Sequence, residues 1–204
     1  MAKKIQLPFH IVLLGQITAG KDTQAQLLKQ HYNFKLVQSG LFTRKVLKEK
    51  TQRGDDFRRS AGKGQPAPMK YMKEFFLQEI EKCPKNGKLL FLGGPRLKPE
   101  AQLLYKLLME RGDTVVAFYI SLPDKEIHKR SLHRNQSDVE AIYKVLDQDK
   151  KIIANRIKYH KDQVGKTVAY FATKPFFAKI NGNQSIEKVH LDIQKHLYAF
   201  LKKM

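Results

Sequence analysis

The sequence predicts an α/β fold in which a largely parallel sheet is sandwiched by helices. Three observations predict it: short continuous apolar runs recur along the chain, helical patterns separate them, and the first run leads into a glycine-rich turn. The first run, FHIVLLG at 9–15, is of the kind found in parallel strands buried on both faces. A helical pattern follows from Lys21, with Ala25, Leu28 and Tyr32 spaced by three and four. Further strands are expected in FKLVQ at 34–38, KLLFLGG at 88–94, TVVAFYISL at 114–122 and PFFAKI at 175–180. Two helices carry clear apolar stripes, one through Met69, Met72, Phe76 and Ile80, the other through Ile186, Val189, Ile193, Leu197 and Phe200. Both stripes are expected in the core.

Two stretches interrupt the alternation. Residues 39–85 place two or three helices and the segment AGKGQPAP between consecutive strands, more than one crossover needs. Residues 135–147, NQSDVEAIYKVLD, form a polar connection between helical patterns. Both read as insertions into a single core, which 204 residues are enough to build.

Composition narrows the function classes. The lone cysteine, Cys83, rules out an internal disulfide and suits a reducing compartment. Met1-Ala-Lys-Lys leads into a mixed segment with Pro8, unlike a secretory signal, and the longest apolar run, at 114–122, is too short to span a bilayer. A cytoplasmic protein without membrane partners is expected. The net charge of +20 predicts attraction to polyanions, whether nucleotides, nucleic acid or an anionic surface. The charge is scattered and dominated by lysine, so a solvated surface is favoured over a dedicated nucleic-acid stripe.

The chemistry begins at GQITAGKDTQ, residues 15–24. A glycine loop between a buried strand and a helix binds phosphate through converging backbone N–H groups and the helix N-terminus. Gly15, four residues, then Gly20 and Lys21 has that spacing. Gly20 permits close backbone approach, Lys21 reaches the β- and γ-phosphates, and Thr23 offers a hydroxyl to phosphate or to a metal-bound water.

This loop is similar to the adenylate kinase phosphate loop, G-x-P-G-x-G-K-G-T-Q, and the resemblance continues in order along nearly the whole chain. QSGLFTR at 38–44 resembles S-T-G-D-x-L-R, AGKGQPAP at 61–68 resembles G-K-x-V-P, and GGPRLKPEA at 93–101 resembles D-G-F-P-R-x-x-x-Q-A. SLPDKEIHKRSLHR at 121–134 resembles V-P-D-x-x-x-x-x-R-x-x-x-R, and NGNQSIEKV at 181–189 resembles D-G-x-x-x-x-x-x-V.

The resemblance implies a monomeric, short-lid nucleoside monophosphate kinase. It would move the γ-phosphate of ATP reversibly onto a monophosphate, with Mg2+ and without zinc. Residues 39–85 would bind the monophosphate and residues 135–147 would form the lid. By the same resemblance, Gly15, Thr18, Ala19, Gly20, Lys21, Asp22 and Thr23 surround the ATP phosphates. Arg130 and Arg134, one helical turn apart, contact ATP, and the backbone near Gln184 lies by its adenine. Ser39, Gly40, Arg44, Gln65, Gly93, Arg96 and Glu100 hold the monophosphate. Lys21, Arg96, Arg134 and Arg156 act on the transferring group. Guanidinium forks suit that task because they grip phosphate oxygens two at a time.

Three departures from the family pattern bear on mechanism. Leu92 replaces the aspartate that holds Mg2+ through water. Asp22 replaces a glycine, and two readings stand: it supplies the metal-side charge missing at Leu92, or it favours the first helical turn. Glu100 replaces an adenine-reading glutamine. An ionised glutamate only accepts hydrogen bonds, which would favour a base edge rich in donors, so GMP and CMP stand beside AMP as acceptors. The alternative places Glu100 in solvent at a helix start after Pro99. In the lid segment, Lys144 stands for an arginine and Asp147 or Asp149 for the nearby acids. Two rival functions remain, a nucleotide-binding relative with weak activity and a basic nucleic-acid-binding module.

Overall fold

The computed structural model describes residues 4–133 and 150–204. Five strands form one parallel sheet: β1 (Phe9–Gly15), β2 (Lys35–Gln38), β3 (Leu89–Leu92), β4 (Thr114–Ser121) and β5 (Phe177–Asn181), in the order β2-β3-β1-β4-β5. Among the described residues the helices are α1 (Lys21–His31), α2 (Ser39–Leu47), α3 (Gln52–Arg59), α4 (Met69–Glu81), α5 (Lys98–Glu110), α6 (Asp124–His133), α7 (Lys150–Tyr159), α8 (Gly165–Ala172) and α9 (Ile186–Leu201). A π-helical segment, His160–Val164, joins α7 to α8. The expected lid at 135–147, with Arg134, Lys144, Asp147 and Asp149, lies outside the described residues.

Strand periodicity divides the core into two layers. Phe9, Ile11 and Leu13 of β1 face one way and pack with Val116, Phe118 and Ile120, with Leu28 of α1, and with Val189, Ile193 and Leu197 of α9. Val12 and Leu14 face the other way, with Phe91, Val115 and Ala117, against Met72, Phe76 and Ile80 of α4, Leu104 and Leu108 of α5, and Phe171 of α8. Phe57 of α3 joins this second layer. The insertion between β2 and β3 therefore shares the core of the sheet.

Ile186 departs from the expected stripe, being 52% exposed. It is the first residue of α9, directly after the cap Ser185, whose Oγ accepts the Lys188 N–H. Its carbonyl is the group that is used, accepting from Gln24 Nε2 at 2.9 Å.

Two polar clusters fix the ends of elements. Arg58 donates through Nη1 to the carbonyls of Leu47 and Glu49, at 2.7 and 2.9 Å, closing the C-terminal end of α2. At the amino edge of the sheet His10 is fully buried, and its Nδ1 accepts the Leu89 N–H at 2.9 Å. Its Nε2 lies 3.2 Å from Asp113, which also meets Lys88 at 2.6 Å and Arg111 at 3.1 Å. Burial outweighs the neighbouring carboxylate and lowers the His10 pKa from 6.5 to about 4, so the imidazole is neutral.

Candidate active site

Parallel strands send all their following loops to one edge of the sheet, and ligands of open α/β sheets bind there. The register pairs Leu13 with Leu92 and Gly15 with Ile120, and Ile120 with Ile180. The loops after β1, β3, β4 and β5 therefore leave side by side.

The loop after β1 ends at Gly20, whose φ of +83° precedes α1 and which offers no side chain to cap it. The N–H groups of that first turn therefore point toward an anion site. Gly15 has no room for a Cβ, which would lie 2.8 Å from the Ile120 carbonyl. Lys21 folds back over the loop and donates to the Gln16 carbonyl at 2.6 Å, while Gln16 Oε1 accepts the Leu122 N–H at 3.2 Å. The loop is thereby tied to the end of β4. Asp22 and Thr23 are both exposed in the first turn of α1, and Ala19 is buried beneath it.

Thr18 has φ +59°, in the left-handed region. The family phosphate loop carries glycine at this place. A β-branched residue there stores backbone strain, and the Thr18 hydroxyl donates to the Ile17 carbonyl at 2.7 Å.

The loops after β4 and β5 meet at Gly182. Its N–H donates to the Ser121 carbonyl at 2.8 Å, and a Cβ on it would lie 2.7 Å from Ile120. Arg130 Nη2 donates to the Gly182 carbonyl at 3.3 Å, and its Nε lies 3.6 Å from Glu126. Gln184 donates to Asp192 at 2.6 Å. Arg130 thus meets Gly182 at the ends of β4 and β5, and Gln184, two residues on, is tied to α9.

The loop after β3 builds a second pocket against the start of α2. Gly93 has φ +79°, and a Cβ on it would lie 3.2 Å from Ser39 Oγ and 3.9 Å from Arg96 Nη2. A Cβ on Gly40 would lie 3.9 Å from Arg44 Nη1. Ser39, Gly40, Arg44, Gly93 and Arg96 are therefore gathered in one place. Ser39 is 3% exposed and its Oγ is a buried polar atom with no hydrogen-bond partner among the described residues, an orphan of the kind a ligand satisfies. Gln65 follows the 3-10 turn Ala61–Lys63, its side chain exposed and its N–H donated to the Ser60 carbonyl.

Arg96 is held on several sides. Its Nε donates to the Gly93 carbonyl at 2.6 Å, its own carbonyl accepts from Thr167 Oγ1 at 2.8 Å, and its N–H donates to Glu100 Oε2 at 2.8 Å. Glu100 also accepts the Leu97 N–H at 3.3 Å, as the acid of a capping box at the start of α5. It is 3% exposed, so the solvent-facing alternative is incorrect: helix geometry turns this carboxylate back onto the backbone. Burial raises its pKa above the usual carboxylate range, against the two N–H donors that lower it. Arg156 belongs to α7, and its side chain lies outside the described residues.

Two features of this pocket went unread in the sequence. Gly94 stands where the family motif has phenylalanine, and the Phe76 ring lies 3.0 Å from where its Cβ would be. An aromatic ring from α4 approaches that space from the other side. Thr167 is fully buried, and the available signal was a polar residue at helical spacing from Val164 and Phe171.

Leu92, at the place of the family's metal-side aspartate, is 4% exposed within β3. Among the described residues no group of three or more His, Cys, Asp or Glu side chains could hold a metal ion by itself.

A phosphate cradle and an arginine pocket on adjacent loops of a parallel sheet define a P-loop nucleotide phosphotransferase. Comparison with known proteins narrows the class. The family model described as adenylate kinase matches residues 13–176. An adenylate kinase of Flavobacterium johnsoniae is 31% identical over 181 residues, covering 88% of this chain and 93% of its own length. Adenylate kinases of Methanothrix thermoacetophila and a Synechococcus strain are each 27% identical, covering 94% and 95% of this chain and 99% and 96% of their own. The chain belongs to the adenylate kinase family, and it is a nucleoside monophosphate kinase.

Proposed function

We propose that the protein transfers the terminal phosphate of ATP to AMP, reversibly. The observation that supports this reading is the placement, on neighbouring strands, of the Gly15–Thr23 loop after β1 beside the cluster of Ser39, Arg44, Gly93 and Arg96 at the loop after β3.

Lys21 leaves the Gln16 carbonyl and binds the β- and γ-phosphates of ATP, whose adenine rests near Gln184 and Arg130. The AMP phosphate is gripped by Arg44 and Arg96, and its base lies by Ser39, Gly40, Gln65 and Glu100. Residues 39–85 and 135–147 close over the two nucleotides, bringing Arg134, Arg156 and Lys144 onto the transferring group. The AMP oxygen attacks in line, and the arginines and Lys21 meet the charge that spreads over the equatorial oxygens. Closure excludes water, so ATP is not hydrolysed.

Asp22 and Thr23 offer a carboxylate and a hydroxyl oxygen beside the phosphates, hard donors that suit Mg2+. Leu92 gives no donor, so the ATP oxygens and water would supply most of the coordination. Bound with ATP, Mg2+ neutralises charge on the β- and γ-phosphates. A monomer in the cytoplasm fits this chemistry, since both substrates are held by one chain. Of the polyanions its charge would attract, the two nucleotides are the ones for which the loops provide sites.

A coupled assay of ATP with AMP, GMP, CMP, UMP and dTMP, with and without Mg2+, tests the reading. AMP is expected to be preferred, with turnover requiring Mg2+ and lost in Lys21→Ala. A preference for another monophosphate overturns the acceptor. Activity that survives Lys21→Ala overturns the site.

A further inference from the structure

We infer that Thr167 is a positioning residue for Arg96, joining the monophosphate pocket to α8. The inference rests on the proposed role of Arg96 in holding the AMP phosphate.

Arg96 leaves β3 through a short loop, and its guanidinium can only be as well placed as the backbone beneath it. Three contacts hold Arg96: its side-chain Nε on the Gly93 carbonyl at 2.6 Å, and on the backbone its N–H on Glu100 at 2.8 Å and its carbonyl accepting from Thr167 Oγ1 at 2.8 Å. The first two come from the same loop and the helix that continues it. Only the third reaches a distant part of the chain, 71 residues on. It holds the carbonyl end of the peptide after Arg96, whose N–H end, at Leu97, is held by Glu100 at 3.3 Å.

Thr167 is itself placed by an unusual piece of backbone. The π-helical segment His160–Val164 ends just before α8, and π-helical turns in proteins occur often at functional sites. The Gln163 carbonyl at the end of this segment lies 3.2 Å from the same hydroxyl. One hydroxyl proton cannot serve both carbonyls fully, and the shorter distance assigns it to Arg96. Tyr159, buried at the last turn of α7, feels both Arg96 and Glu100 electrostatically, so the end of α7 also borders the pocket.

Steady-state kinetics of Thr167→Val and Thr167→Ser test the assignment. Valine keeps the shape and removes the donor, and serine restores the donor. Thr167→Val is expected to raise the AMP KM by about tenfold and lower kcat several-fold, while the ATP KM changes by less than about twofold. Thr167→Ser is expected to recover most of the loss. Should the valine variant fold poorly, Thr167→Ala must give the same split between AMP and ATP. Equal changes in both KM values, or no rescue by serine, overturn the inference by reducing Thr167 to a packing residue. Wild-type enzyme that does not use AMP refutes the proposed function instead, so the two failures are distinguishable.

Discussion

Glu100→Ala removes the carboxylate that accepts both the Arg96 N–H at 2.8 Å and the Leu97 N–H at 3.3 Å. Hydrogen bonds to an ionised acceptor contribute about 1.5–3 kcal/mol each, and a buried N–H left without an acceptor costs about 1–3 kcal/mol. Desolvation of the carboxylate, which raises its pKa, offsets part of that gain. The alanine variant is therefore expected to lose about 2–3 kcal/mol of unfolding free energy at pH 7. Glu100→Gln keeps a carbonyl oxygen for the two N–H groups and has no charge to desolvate, so it should fall within about 1 kcal/mol of wild type. The pH dependence follows from the sign of the shift. A carboxyl whose folded pKa is raised contributes stability that is fully present below its ordinary value of 4.5 and lost as pH rises through the folded value. Wild type should therefore lose stability relative to Glu100→Gln across the window that opens above pH 4.5. Urea unfolding followed by circular dichroism from pH 4 to 8 measures both effects, and the nucleotide panel measures the base preference. A glutamine variant as unstable as the alanine variant, with a pH-independent gap to wild type, would refute the capping argument. A change of preferred monophosphate in Glu100→Gln would return Glu100 to a base-reading role.

Three further outcomes are expected. His10, with its folded pKa lowered from 6.5 to about 4, contributes stability that is lost as pH falls through that window, about 3 kcal/mol in all; His10→Asn, which retains an acceptor for the Leu89 N–H, should lack this slope in urea titrations. Thr18→Gly relieves a left-handed threonine and should leave the protein equal or more stable by about 1 kcal/mol in thermal unfolding, without loss of ATP binding. Gly54→Ala would place a Cβ 2.1 Å from the Glu49 carbonyl, and should destabilise by at least about 2 kcal/mol in the same measurement.

Legibility in the sequence followed the physics of each signal. The central strands could be read because parallel strands there are apolar on both faces, so FHIVLLG and TVVAFYISL stand out without any alignment of their partners, while the edge strands β2 and β5 are buried on one face only. The phosphate loop could be read because glycine spacing encodes backbone conformation directly, as at Gly20. Thr18 could not, since nothing local marks a threonine for positive φ; the rest of the loop imposes it. Ile186 misled because a helical stripe predicts which face is apolar but not where along its length the helix meets the sheet. The role of Glu100 was partly visible, as an acid three residues after Leu97 with a proline between, yet only the folded helix start decides which way that acid turns. The Phe76 ring at Gly94 joins residues from separate helices and loops, and no periodicity reports such a pairing.

The net charge of +20 takes a different meaning once the two basic residue types are separated. Arginine occurs only nine times, at 44, 53, 58, 59, 96, 111, 130, 134 and 156, and lysine thirty times. Three of the arginines are bound into the scaffold: Arg53 grips Glu49 through two hydrogen bonds, Arg58 closes α2, and Arg111 donates to the carbonyls of Ile80 and Cys83. Five others stand at the places proposed to contact phosphate or ATP. A rigid planar fork is thus used where several oxygens must be held at once, in the scaffold as in the proposed site. From residue 157 to the end there is no arginine, although lysine recurs throughout, and the helices there are exposed on their lysine-bearing faces. A lysine keeps its hydration and its rotamer freedom, so a lysine-rich surface repels other copies of the chain without offering a geometry for any one partner. The excess charge is therefore carried by the solvated surface, while the selective positive charge is concentrated in a few arginines and in Lys21. An exchange of Arg44 for lysine would leave the net charge unchanged, yet it should raise the AMP KM at least about tenfold, because one point charge replaces a two-pronged grip.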